Sequence, residues 1–227
     1  MKNYMDDLIK NTDFSNNTPI REIVYESLRT TIISGIIPVG ERIIEKEYAE
    51  RLNISRTPVR EALRRLEVEE LVEHIPRIGV VVKRVTTEDA IEVYKIRNNL
   101  EVLAATSAME IITPEQIGEI EKLLDLTEKK NKEGNVEEVI KLFGEFNLKM
   151  YEASGMKRLA AMITKLNEYT QRFRNISISQ NARREVALME HRQILKAIID
   201  KNEVEIKELI KKHLEDSIQI VIIEMKE

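Results

Sequence analysis

Apolar positions along the chain fall into two regimes. Between Ile20 and Ser34 they recur at Ile23, Val24, Leu28 and Ile32, the three- and four-residue spacing of one helical face, and Gly35 follows as a C-terminal stop. A second helix is predicted over about Glu45 to Leu52. After the polar turn Asn53-Ile54-Ser55, the residues Val59, Ala62, Leu63 and Leu66 mark a third helix. Ser55 or Thr57 can cap it, and Pro58 is tolerated in its first turn, where amides have no intrahelical acceptor. Leu71–Ile75 and Gly79–Val82 read as two short strands around the turn Pro76-Arg77-Ile78-Gly79. From Thr86 onward the period is helical throughout. Six helices are predicted: Thr86 to about Ile111, one opened by the capping box Thr113-Pro114-Glu115-Gln116, Val136–Ala153, Lys157 to about Ile176, Asn181–Lys201, and Glu203 to about Met225. Short joints at Gly155 and Asn202 make an antiparallel bundle.

The third helix carries the most telling polar pattern. Arg56, Arg60 and Arg64 step by four along a face other than the apolar one, with Arg65 beside them. A helix buried on one side and bearing arginines from its first turn suits a DNA major groove, because arginine offers a bidentate fork to guanine and a fixed charge to phosphate. The same row taken alone is more often a surface helix with solvated charges.

The surrounding residues bear on that choice. The first helix ends at Gly35, the turn Pro38-Val39-Gly40-Glu41-Arg42 follows, and Glu45 with Tyr48-Ala49 sit on the second helix. Next come the run Ser55-Arg56-Thr57-Pro58-Val59-Arg60-Glu61-Ala62-Leu63 and the hairpin Arg77-Ile78-Gly79-Val80. This order over nearly seventy residues resembles the winged helix-turn-helix domain of the GntR family of bacterial transcription regulators. The helical remainder resembles the FCD effector domain of that family's FadR-like branch. The resemblance implies a mainly α protein in three parts. Residues 1–18 form a flexible arm, residues 19–85 a winged helix-turn-helix of three helices plus a two-stranded wing, and residues 86–227 an all-helical effector-binding and dimerisation domain. It further implies that Arg56, Thr57 and Arg60 enter the major groove, that Ser55 and Lys46 hold phosphates, and that the wing at Arg77 and Gly79 follows the backbone. Lys46 stands where Arg is commoner, which favours a phosphate role. Glu70 replaces the usual Gly before Leu71, so a slightly different helix end is expected there, and His74 is expected to be a bystander beside the wing.

Composition narrows the classes. Charged residues make up 33% of the 227 and aromatics 4%, with no Trp, which suits helices better than a sandwich or barrel. No cysteine is present, so disulfides, thiolate nucleophiles and Cys-ligated zinc are excluded. No apolar run approaches a membrane span, and the first residues lack a signal pattern, so a cytoplasmic protein with no membrane partner is expected. The net charge of −4 looks wrong for a DNA binder. Pro19–Arg84, however, carries 12 Lys and Arg against 11 Asp and Glu. The positive charge is thus local, and a surplus this small predicts a homodimer that holds double-stranded DNA with two copies.

An enzyme would need a nucleophile with its base, a carboxylate pair or a glycine-rich phosphate loop, and none is legible. His191 and His213 lie on consecutive helices, each facing inward by the spacing of Leu188, Ile194 and Leu195 or of Ile210 and Leu214. The resemblance places them at the last two ligands of a family metal site whose other two are an Asp and a His. Here Phe143 and Asn147 stand at those positions, so His191, His213 and Asn147 make a degraded site for Zn or Ni. Arg97, Asn147, His191 and His213 are then the candidate contacts for a small carboxylate effector. Arg97 and Glu101 can instead be a helix-steadying i, i+4 pair, and Tyr169, Arg172 and Arg174 are further candidate lining residues. The expected function is a dimeric repressor on a short palindromic operator, modulated by an acidic metabolite. The rivals are a metal-dependent helical enzyme and a DNA-binding dimer that has lost sensing, the last favoured if Phe143 fills the cavity.

Overall fold

The computed structural model describes residues 18–84, 86–179 and 181–226, without the side chains of 168–177, 179 and 224–226. The arm expected over residues 1–18 therefore lies, except for Thr18, outside the described residues, as do the side chains of Tyr169, Arg172 and Arg174. Two compact units divide between Val85 and Thr86.

In the first unit, α1 (Ile20–Ile33), α2 (Glu45–Arg51) and α3 (Arg56–Val68) surround a small core, with β1 (Arg42–Ile43), β2 (Val72–Ile75) and β3 (Gly79–Val82) beside it. Val24 and Leu28 of α1 and Val59, Ala62, Leu63 and Leu66 of α3 are buried in that core, where the two helices pack together. Each such leucine withdrawn from water contributes about 1.5–3 kcal/mol. The sheet has three strands, in the order β1-β3-β2, rather than the two expected. Ile43 pairs with Val80 on one side of β3, and His74 pairs with the same Val80 on the other. Two residues are too few for alternation to register, so β1 leaves no periodic trace.

Two helices of this unit end with non-glycine residues in the left-handed region. Asn53 (φ 54°) follows α2 and Glu70 (φ 58°) follows α3. After α3, the Glu70 amide donates to the Glu67 carbonyl at 3.0 Å and the Leu71 amide to the Leu66 carbonyl at 2.9 Å, a Schellman closure. The different helix end expected at Glu70 is thus not found. Glu70 adopts the conformation a glycine would take, and Lys83 Nζ meets its carboxylate at 2.7 Å.

The second unit comprises α4 (Thr87–Ile111), α5 (Pro114–Lys132), α6 (Val136–Ala153), α7 (Lys157–Ser179), α8 (Asn181–Ile199) and α9 (Glu203–Lys226). Capping boxes open α4 at Thr86 with Asp89 and α5 at Thr113 with Gln116. α4 packs against α6, α7, α8 and α9, and Phe143, Ile120, Leu124, Ile163, Ile198 and Ile206 fill the centre of the unit.

Candidate functional site

The first unit presents one polar surface. Ser55, Arg56, Thr57 and Arg60 are all exposed at the start of α3, while Val59 and Ala62 on its other face are fully buried. Ser55 occupies the N-cap position with extended backbone, yet neither it nor Thr57 makes the anticipated side-chain cap. The first-turn amides of α3 therefore remain directed at whatever lies beyond the helix start, the arrangement that suits an anion. Lys46 is exposed on α2, 3.8 Å from Glu50.

α3 is held from behind by polar bonds to α1. Arg29 Nε donates to Glu69 Oε2 at 2.8 Å, and the Tyr25 hydroxyl donates to the other oxygen of Glu69. Burial, and then the Glu69 carboxylate, push the Tyr25 phenol up to about 12, so it stays a donor. Arg65 meets Glu22 at 2.7 Å and lies 3.5 Å over the Tyr25 ring. Arg64 and Arg65 therefore part company, since Arg65 serves the α1 contact rather than the exposed row.

At the hairpin tip, Arg77 is exposed with φ 69° and Gly79 has φ 108°. A Cβ built on Gly79 would stand 3.5 Å from Arg42 Nε, so the Arg42 guanidinium lies against the tip. The sequence had shown Arg42 only within a turn, because β1 is too short to display its partner strand. His74 is exposed on β2 and joins none of these groups.

Two polar clusters lie in the second unit. Arg97 Nε and Nη2 donate to Glu101 Oε1 at 3.1 and 2.9 Å, both residues being buried. Arg97 Nη1 has no hydrogen-bond partner. Burial disfavours this charge, but Glu101, Tyr94 and Tyr151 outweigh burial and hold the guanidinium above its ordinary range. Tyr94 carries Arg97 on its ring face at 4.7 Å. It also lines a groove of about 410 Å³ with Lys95, Asn98, Lys211, Leu214 and Ile218.

The second cluster centres on Glu190. Its Oε2 accepts from Arg183 Nη1 at 2.8 Å and pairs with His213 Nδ1 at 2.7 Å. Burial raises this carboxyl's pKa, but His213 and Arg183 more than reverse that and bring it to about 2. His191 and His213 are brought together, with ring centroids 5.0 Å apart. Phe146 stacks on His191 at 4.1 Å and Phe143 meets it edge-on at 4.9 Å. Asn147, half-buried, hydrogen-bonds to neither histidine, so the expected set His191, His213 and Asn147 is not assembled as ligands. Two imidazoles without a third ligand make a poor site for a divalent ion, and the Arg183 cation stands 3.5 Å from His213 Nδ1. Among the described residues no three His, Asp or Glu side chains converge to hold a metal. Arg183 and Glu190 went unrecognised in the sequence, although both interrupt the inward apolar face of Ala187, Ile194 and Ala197 at heptad spacing.

A helix-turn-helix with a short sheet and an arginine-bearing third helix, on a chain whose other unit is wholly helical, defines a transcription regulator architecture. Residues 20–82 match the bacterial regulatory proteins of the gntR family, and residues 92–216 match the FCD domain. The chain is 32% identical over 198 residues to the HTH-type transcriptional regulator YdhC of Bacillus subtilis (strain 168), covering 87% of each chain. It is 34% identical over 143 residues to the HTH-type transcriptional regulator McbR of Escherichia coli (strain K12), covering 63% of this chain and 65% of that one. The solved structure of E. coli McbR/YncC superposes with a TM-score of 0.72 at 26% identity, over 92% of this chain and 99% of that one. The protein belongs to the FCD-containing branch of the GntR family of DNA-binding transcriptional regulators, whose members are regulators rather than enzymes. Among the described residues no helix is long and apolar enough to cross a membrane.

Proposed function

We propose that the protein is a cytoplasmic repressor that binds a short palindromic operator as a homodimer, Arg56, Thr57 and Arg60 of each copy reading base edges in one major groove. Ser55 and Lys46 take phosphates, and the wing with Arg77 and Gly79, joined by Arg42, follows the backbone. The observation that carries this reading is the split of α3 into a buried apolar face and an exposed arginine face that opens at its uncapped start. The test is selection of duplexes from a randomised pool by the full-length protein, followed by titration of Arg60→Ala on the selected duplex and on random DNA. A loss of about tenfold or more confined to the selected duplex supports base reading. An equal loss on both places Arg60 on phosphate instead.

A small carboxylate-bearing metabolite then binds the helical unit and shifts the population of DNA-competent dimers. Buried Arg97, with its unpartnered Nη1, is the group suited to a carboxylate, and His191 and His213 with the Arg183–Glu190 pair form the other polar centre. One observation favours a second reading, in which the helical unit only dimerises. Phe143 is fully buried against His191, where a ligand cavity would be wanted. Melting the protein with a panel of organic acids separates the two, since ligand binding raises Tm and mere dimerisation does not respond.

A further inference from the structure

Arg60 does not project freely from α3. Its Nε lies 3.2 and 3.1 Å from the two carboxylate oxygens of Glu45, and its Nη2 donates to Glu45 Oε2 at 2.9 Å. Glu45 is the first residue of α2, fifteen positions earlier, where the helix start favours a carboxylate. The side chains are 53% and 30% exposed, so solvent screens the pair and its contribution to stability is small. Its geometric consequence is larger. A guanidinium has two edges able to grip a pair of acceptors, Nε with Nη2 and Nη1 with Nη2. Glu45 occupies the first and leaves the second, the end-on fork, as the edge able to meet O6 and N7 of a guanine. An exposed arginine otherwise samples many rotamers, and holding one in advance removes that cost at binding.

We propose that Glu45 is a positioning residue for DNA specificity, orienting Arg60 so that its end-on fork reads one guanine of the operator half-site. This rests on Arg60 reading a base, as argued above. Glu45 itself touches no DNA. Its negative charge lowers affinity for phosphates at large, so it trades general affinity for discrimination.

The test uses the full-length protein and a duplex selected from a randomised pool by the wild type, with every base step of one half-site substituted in turn, and a random duplex as reference. Wild type, Glu45→Ala, Glu45→Gln and Arg60→Ala are titrated on all of them at one salt concentration. Glu45→Ala is expected to lose on the order of tenfold in preference at the same base step that Arg60→Ala loses, while its affinity for random DNA holds or rises. Glu45→Gln, which keeps an acceptor oxygen, is expected to fall between. Both Glu45 variants should melt within about 5 °C of the wild type, since the pair is exposed. If Arg60→Ala loses a step preference that both Glu45 variants retain, the positioning role is overturned and base reading by Arg60 stands. If Glu45→Ala tightens selected and random duplexes equally, Glu45 merely repels phosphate and the proposal fails. If Arg60→Ala keeps the wild-type preference at every base step, base reading fails first and the role of Glu45 falls with it.

Discussion

Phe146 lies flat on His191, ring centroids 4.1 Å apart and planes 17° from parallel. That contact decides how the helical unit differs from the metal-binding form its histidines suggest. An imidazole that ligates a metal presents a nitrogen lone pair to open space, and its ring is held by a carboxylate or carbonyl beyond. Here Glu190 does hold His213 Nδ1 in that way, but apolar rings press on the His191 face and edge, and among the described residues no third ligand joins the two imidazoles. The buried Arg183 adds a positive charge 3.5 Å from His213 Nδ1, which disfavours a second cation beside it.

Metal binding supplies the first prediction. Wild-type protein should show no Tm increase with Zn²⁺ or Ni²⁺ at ten times the protein concentration. Replacing Phe143→Asp and Asn147→His puts an oxygen and a nitrogen ligand one turn apart on the α6 face that already meets His191. The variant without metal should be less stable by about 3–5 kcal/mol, the usual cost of removing a core phenylalanine. Zn²⁺ should restore part of that, read as a metal-dependent Tm and one retained ion after dialysis. Absence of retained metal would mean that Arg183 still excludes the ion.

Glu190 makes stability depend on acid pH. Its folded-state pKa, about 2, lies below the ordinary carboxylate value of 4.5, so the folded state prefers the ionised form. The associated stability is fully present above about pH 4.5 and is lost as pH falls towards about 2. Glu190→Gln should remove that dependence, giving a shallower acid limb in urea-unfolding free energy between those values. At pH 7 it should cost about 3 kcal/mol, because Arg183 is left buried without its counter-charge. An unchanged acid limb would show that other carboxylates govern it.

The helices were legible because each buries one stripe, and periodicity records burial directly. Val59, Ala62, Leu63 and Leu66 announced α3, and Thr86 with Asp89 announced the start of α4. What escaped notice depends on pairing between distant positions. β1 is two residues long and owes its existence to β3. Arg60 and Glu45 are fifteen positions apart across a turn, a separation with no helical period. His191 and His213 were visible as inward histidines. The Glu190 partner of His213 stands out less, on a helix rich in charge, although its place between Ala187 and Ile194 puts it inside. Of the positions the resemblance singled out on α6, Phe143 does meet His191, and Phe146, the neighbour of Asn147, stacks on the same ring.

A backbone prediction follows from Gly155, which closes α6. Its φ of 68° is left-handed, and a Cβ there would stand 2.8 Å from Ile111 Cδ1. Ile111 is exposed and its Cδ1 can swing aside, so the cost of Gly155→Ala is conformational. A loss of about 1–3 kcal/mol is expected by denaturant unfolding. Ile111→Ala in the same background should leave that loss unrescued, while partial rescue would show that the contact matters.

Arg97 and Glu101 offer the sharpest division between structure and sensing. Both are buried, and Arg97 Nε and Nη2 crowd onto a single oxygen of Glu101. Glu101→Ala leaves a buried guanidinium with no carboxylate, at an expected cost of about 3–5 kcal/mol. Replacing both, Arg97→Met with Glu101→Leu, exchanges the pair for apolar volume and should recover wild-type stability to within about 1 kcal/mol. If the pair only steadies α4, the double variant keeps whatever Tm response to organic acids the wild type shows. If Arg97 anchors a ligand carboxylate, the double variant folds and binds DNA, yet no acid raises its Tm or alters its affinity for the operator. Stability restored with the acid response lost would assign Arg97 to the ligand. Both retained would return it to the scaffold.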